Sequence, residues 1–142
     1  MTKRDKQISA YLRDVPLFSQ CSERELNAIA KLVEIEAHAP GATIVAQGEP
    51  GTDFYVLLEG HALVRRNGRR VGELQPGGYF GELAVLDPAP RNADVWSEVA
   101  TTVARLGVAE FCGMLRANPA INERLLAGLA RRVRQADKNS LN

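Results

Sequence analysis

Cysteine and histidine are scarce in this sequence, and each scarcity removes a class of protein. Cys21 and Cys112 are the two cysteines. They lie far apart, form no C-x-x-C pair and have no histidine at ligand spacing, so neither a disulfide framework nor a metal site is indicated; both read as buried structural thiols. His38 and His61 each stand alone, which leaves a metal-dependent enzyme without its ligand set, and no catalytic activity or cofactor is expected. Charge of one sign is also lacking: 18 Lys+Arg oppose 17 Asp+Glu, a formal net charge of +1. Any partner must therefore be recognised locally rather than by bulk charge. No apolar run approaches the roughly 18 residues of a membrane span. The opening MTKRDKQIS is positively charged but has no apolar stretch behind it, so a soluble cytoplasmic protein is expected. Repeats and low-complexity linkers are missing too. At 142 residues the chain suits one domain, 1–142, that buries about two thirds of its unfolded surface.

The periodicity of what is present changes twice. Ile8, Leu12 and Val15 recur at helical spacing until Pro16, and Ser22-Glu23-Arg24-Glu25 reads as a capping box in front of the stripe Leu26, Ile29, Ala30, Val33. Helices are thus expected over about 5–33. From Val33 the period becomes two. VEIEAHA, TIVAQG, FYVLLEG, HALVRR, RRVGEL, ADVWSEV and TTVARL read as strands over about 33–107, separated by Gly and Pro turns, with Asn67-Gly68 as a two-residue hairpin. Helix returns over about 108–137. VAEFCGMLRAN is short and amphipathic, and Asn118-Pro119 supplies an N-cap and first residue for a last helix with Ile121, Leu125, Leu129, Val133 and Ala136 on one face. The final KNSLN is expected to fray. The fold class is α+β: an antiparallel β jelly roll (double-stranded β-helix) flanked by N-terminal and C-terminal helices.

The stretch GYFGELAVLDPAPRNADV, residues 78–95, carries the chemistry. Gly78 and Gly81 let the backbone bend close to a ligand, and ELAVL is one helical turn in length. Such a turn presents the amides of Glu82, Leu83 and Ala84 to an anion. Arg91, returning after Asp-Pro-Ala-Pro, adds a fork of donors suited to a phosphate. A carboxylate at Glu82 makes sense beside a phosphate if it accepts a hydrogen bond from a neighbouring hydroxyl, as on a ribose. The alternative at this point is an ordinary loop ion pair between Glu82 and Arg91.

FGELAVLDPAPRNADV resembles the phosphate-binding cassette of the cyclic nucleotide-binding domain family, whose pattern is close to F-G-E-L-A-L, a loop, then P-R-x-A-[TS]-V. Phe80, Gly81, Glu82, Leu83, Ala84, Pro90, Arg91, Ala93 and Val95 match, with the nine-residue step from Glu82 to Arg91. The resemblance extends through "VPLFSQCSERELNAIA", "PGATIVAQGEPGTDFYVLLEG" and the closing helices, from about Leu12 to Arg134. It implies that Glu82 holds the ribose 2′-hydroxyl, Arg91 the cyclic phosphate, and the amides of Ala84 and Asn92 its other oxygens. Val71 would line the base pocket, and the last helix would act as a lid, with Arg132 or Val133 meeting the base. Two positions depart from the pattern: Asn92 follows the arginine where Ala, Ser or Thr is usual, and Asp94 stands where Thr or Ser is common.

The expected function is a stand-alone cyclic nucleotide sensor, for cAMP more than cGMP, signalling through its last helix to an effector protein or by self-association. About eight residues follow Arg134, so no DNA-reading module is expected. Arg65, Arg66, Arg69 and Arg70 read as a solvated hairpin tip, and Tyr55, Tyr79 and Trp96 as core or rim. The rival is a degenerate domain that keeps the fold for protein contact and has lost the ligand.

Overall fold

The computed structural model describes residues 2–140, with side chains as far as Gln135. Two capping boxes start the N-terminal helices. Ser22 and Glu25 exchange bonds with each other's amides at the head of α2, Glu23–Leu32, as their spacing predicts. Thr2 and Asp5 do the same for α1, Lys3–Arg13, which therefore begins before the residue 5 expected. Pro16–Phe18 form one 3-10 turn between them.

The β region comprises β1 Glu34–His38, β2 Thr43–Val45, β3 Phe54–Glu59, β4 Ala62–Arg66, β5 Arg69–Leu74, β6 Tyr79–Phe80, β7 Asp94–Ser97 and β8 Thr101–Leu106. They make two antiparallel four-stranded sheets, in the orders β1-β8-β3-β6 and β2-β7-β4-β5. Alternation of successive pairs between two sheets is the jelly-roll arrangement. Asn67 (φ 54°) and Gly68 (φ 77°) turn β4 into β5, as a primed hairpin turn requires. β2 stops short of the expected TIVAQG because the Gln47 amide donates to Asp94 Oδ1 at 2.6 Å rather than to the ladder.

Helix α3, Glu82–Leu86, interrupts the strands, and α4, Val108–Ala117, and α5, Pro119–Ser140, follow them. Asn118 holds the expected N-cap position before Pro119, its carbonyl accepting from the Ile121 and Asn122 amides, but its side chain does not cap α5. Its Nδ2 donates back to the Met114 carbonyl at 2.8 Å and its buried Oδ1 has no partner, so the side chain closes α4 instead of opening α5. The expected apolar stripe of α5 also divides. Ile121 and Leu125 are buried, Leu129 is half-buried and Val133 is 60% exposed. The Ala136 side chain and the end of the KNSLN tail, residues 141 and 142, lie outside the described residues, while the helical backbone continues through Ser140.

The larger core lies between the helices and one face of the first sheet. Phe54, Val56 and Leu58 of β3 meet Leu12, Phe18, Ile29, Phe111, Met114 and Leu125 there. The opposite face of β3 sends Leu57 between the two sheets, where it joins Ala62 and Val95 with Val45, Val64, Leu74 and Phe80 around them. Burial on both faces explains why FYVLLE reads as a continuous apolar run. This second, smaller core borders a cavity.

Candidate functional site

A cavity of about 650 Å³ opens between β4, β5, α3 and the chain from Ala89 to Val95. Its size suits a small organic ligand. One wall is apolar, formed by Val45, Val64, Leu74, Phe80, Ala93 and Val95; Gly81 to Ala84, Arg91 and Asn92 form the polar end.

Gly81 shapes that end. It sits at φ 95° in front of α3, and a Cβ there would lie 2.4 Å from the Asp53 carbonyl oxygen and 3.0 Å from Arg91 Nη1. Only glycine fits both the dihedral and the space. Behind it, α3 aims Glu82 inward, where the side chain is 1% exposed. Its Oε1 accepts a bond from the Arg132 guanidinium of α5, and its buried Oε2 has no partner.

Arg91 is held as closely. Its amide donates to the Glu49 carbonyl at 2.9 Å and its own carbonyl accepts from the Gly48 amide at 2.8 Å, which pins the backbone. Its guanidinium donates through Nη2 to the Asp53 carbonyl at 2.9 Å and lies 5.9 Å from the Tyr55 ring centre. Gly51 makes room for it, since a Cβ at that position would meet Nε at 2.6 Å. Arg91 is 9% exposed and pairs with no carboxylate among the described residues. The loop ion pair between Glu82 and Arg91 therefore does not form; Glu82 pairs with Arg132 instead.

The structure brings together Gly81, Glu82, Leu83, Ala84, Arg91, Asn92, Ala93 and Arg132 around one cavity. Val71, expected to line the base pocket, is not among the cavity's lining residues. Val64 pairs with Gly72 and Arg65 with Arg70, so Val71 is the extra residue of a β-bulge, and its side chain is 52% exposed. Gly72 and Leu74 supply that wall from the same strand. Of the two candidates on α5, Arg132 lines the cavity and Val133 does not. Asp94 is likewise absent from the lining; its carboxylate serves the Gln47 amide.

Arg66 was missed. It lines the cavity and donates through Nε to the Asn92 carbonyl at 3.1 Å, while Arg65 stacks on Trp96 at 4.4 Å. Alternation along β4 from Val64 to Arg66 was the available signal. Tyr79 meets the inner face of α5: a Cβ at Gly128 would lie 2.5 Å from its hydroxyl oxygen, and Arg132 lies 5.6 Å from its ring centre. Burial pushes the Tyr55 and Tyr79 phenols above their usual range, so both stay neutral. Among the described residues no group of His, Cys, Asp and Glu is placed to hold a metal ion, and no helix is long and apolar enough to cross a membrane.

Residues 35–118 match the family described as "Cyclic nucleotide-binding domain". A cAMP-dependent protein kinase regulatory subunit of Mycosarcoma maydis is 40% identical over 111 residues, which is 75% of this chain and 21% of that protein. The regulatory domain of Toxoplasma gondii PKA, solved as a co-crystal with cAMP, is 30% identical with a TM-score of 0.79 and covers 92% of this chain and 51% of its own. The catabolite activator protein of Thermus thermophilus is 29% identical with a TM-score of 0.81, over 87% of this chain and 61% of its own. The chain spans between 21% and 31% of the length of the fungal regulatory subunits that it matches.

Proposed function

The chain belongs to the cyclic nucleotide-binding domain family, and on that premise we propose that it senses a 3′,5′-cyclic nucleotide, cAMP in preference to cGMP, in the cavity beside α3. The observation that carries this reading is Arg91: a guanidinium 9% exposed, at the wall of a cavity, with a carbonyl but, among the described residues, no carboxylate to match its charge. A buried cation without a counter-charge is costly, and a cyclic phosphate bound there offsets that cost with a charge-assisted fork.

The remaining roles follow from the neighbours. Glu82 Oε2, buried and unpartnered, accepts from the ribose 2′-hydroxyl. The amides of Ala84 and Asn92 complete the phosphate shell. The apolar wall of Val45, Val64, Leu74, Ala93 and Val95 covers the purine; guanine would bring an extra amide edge to a wall with few polar partners, which favours adenine. These are binding roles, so the domain regulates rather than catalyses. Arg132 ties α5 to the residue that reads the ribose, which makes α5 the element that carries the signal, in the cytoplasm, to an effector protein or a second copy.

Calorimetric titration with cAMP, cGMP and 5′-AMP tests the reading. The wild type should bind cAMP most tightly, and Arg91→Ala should cost about 2–5 kcal/mol, roughly thirtyfold or more in affinity. Unchanged affinity in that variant removes the site assignment. A wild type that binds none of the three favours a fold kept for protein contact.

A further inference from the structure

Outside the cavity, one side chain holds three carboxylates at once. Arg105 on β8 donates to Glu34 at 2.5 Å, Glu36 at 2.7 Å and Asp53 at 2.8 Å. Its strand lies between β1 and β3, so the guanidinium bridges both neighbours. Either glutamate would serve to tie β1 to β8, a tie that the ladder already makes. Asp53 is different. It ends an irregular stretch from residue 50, and two of its oxygens face two guanidiniums. The side-chain Oδ2 accepts from Arg105 Nη1 at 2.8 Å, and the backbone oxygen accepts from Arg91 Nη2 at 2.9 Å. The same backbone oxygen is what a Cβ on Gly81 would strike at 2.4 Å. The position of one carbonyl therefore sets both the reach of Arg91 and the entry to α3.

We propose that Arg105 is a positioning residue for ligand binding, acting through Asp53 to hold the carbonyl that orients Arg91. The inference rests on the reading of Arg91 as the phosphate ligand. An unanchored Asp53 leaves Arg91 free to sample rotamers that miss the phosphate, and a pre-organised fork loses less entropy on binding than a mobile one. Hydrogen bonding to Asp53 raises the Arg105 pKa further above its already high value, aided by the charges of Glu36, Asp53 and Glu34, so the anchor is charged at every accessible pH.

Two measurements test this on the whole chain. The first is the mobility of the Arg91 side-chain Nε–H by nitrogen-15 relaxation, without ligand; the second is the affinity for cAMP. Arg105→Gln and Asp53→Asn, the latter keeping the backbone carbonyl, should each loosen the Arg91 Nε–H and weaken cAMP binding by roughly tenfold, the factor made by about 1.4 kcal/mol of coupling. Glu34→Gln, which removes the most exposed partner, should change affinity less than about twofold. A merely structural salt bridge would lower the unfolding midpoint and leave the Arg91 signal as it was, and that result overturns the proposal. So does an affinity within about twofold of the wild type in both variants. If the wild type binds no cAMP yet Arg105→Gln still loosens Arg91, the positioning role stands and the nucleotide reading falls.

Discussion

Gly128 offers a test of how α5 is docked. A Cβ there would lie 2.5 Å from the Tyr79 hydroxyl oxygen, so in Gly128→Ala the helix and the ring must part by about 1 Å to reach the ~3.5 Å of a normal contact. The ring has little freedom to retreat, since it packs 5.7 Å from Phe54 at the edge of the main core. Two effects then oppose each other. Alanine in place of glycine favours the helix by about 1 kcal/mol, whereas overpacking costs about 1–3 kcal/mol. The net change in the wild-type background should lie between zero and about 2 kcal/mol of destabilisation. Tyr79→Phe removes the obstructing oxygen, so Gly128→Ala introduced into that background should stabilise, by up to about 1 kcal/mol. Urea unfolding of the four proteins measures the difference, and hydrogen exchange locates it: amides 129–135 should lose protection in the single variant alone. Arg132 lies one turn beyond Gly128, so the lifted helix also withdraws its guanidinium from Glu82. Equal stabilisation by Gly128→Ala in both backgrounds would refute the docking contact.

Two further outcomes follow from the site. Glu82→Gln keeps an acceptor but loses the charge, and should weaken cAMP binding by about 1–3 kcal/mol while hardly affecting 2′-deoxy-cAMP; equal losses for both ligands in calorimetry would assign Glu82 to loop folding instead. Asp94→Ala leaves the Gln47 amide without its 2.6 Å acceptor and should cost about 1–2 kcal/mol in urea unfolding. Because Asp94 does not line the cavity, its cAMP affinity should stay within about twofold, and a large gain would mean that its charge does oppose the phosphate.

The parts of the site readable in the sequence are those that chemistry writes locally. Gly81, Glu82 and Arg91 belong to one short stretch in which a left-handed residue, a helical turn and a returning arginine are each visible as residue types in order. Partners from remote elements were not visible there. The Asp53 carbonyl is a backbone atom 38 residues from Arg91, and Arg132 is 50 residues from Glu82; nothing in either local pattern specifies the meeting. Val71 is expected at the base pocket only from the resemblance, and the bulge beside it, which changes the facing of residues on either side, leaves no strong mark in RRVGEL. At Asn118 the Asn-Pro pair marks the start of α5, but the buried side chain donates to the Met114 carbonyl instead of capping the helix.

The division of the apolar interior has a consequence for how such a chain tolerates change. Most of the large buried side chains, Phe18, Phe54 and Phe111 among them, lie on the helical side of the first sheet, while the space between the sheets holds few and is partly hollow. Folding and recognition thus draw on largely separate sets of residues. Substitutions along the wall of Val45, Val64, Leu74 and Ala93 can retune which molecule is accepted while the larger, helical core stays packed, and Arg132 is the residue of the helical half that reaches the site. A lineage built on this plan can exchange one signal molecule for another while the larger core is left as it is.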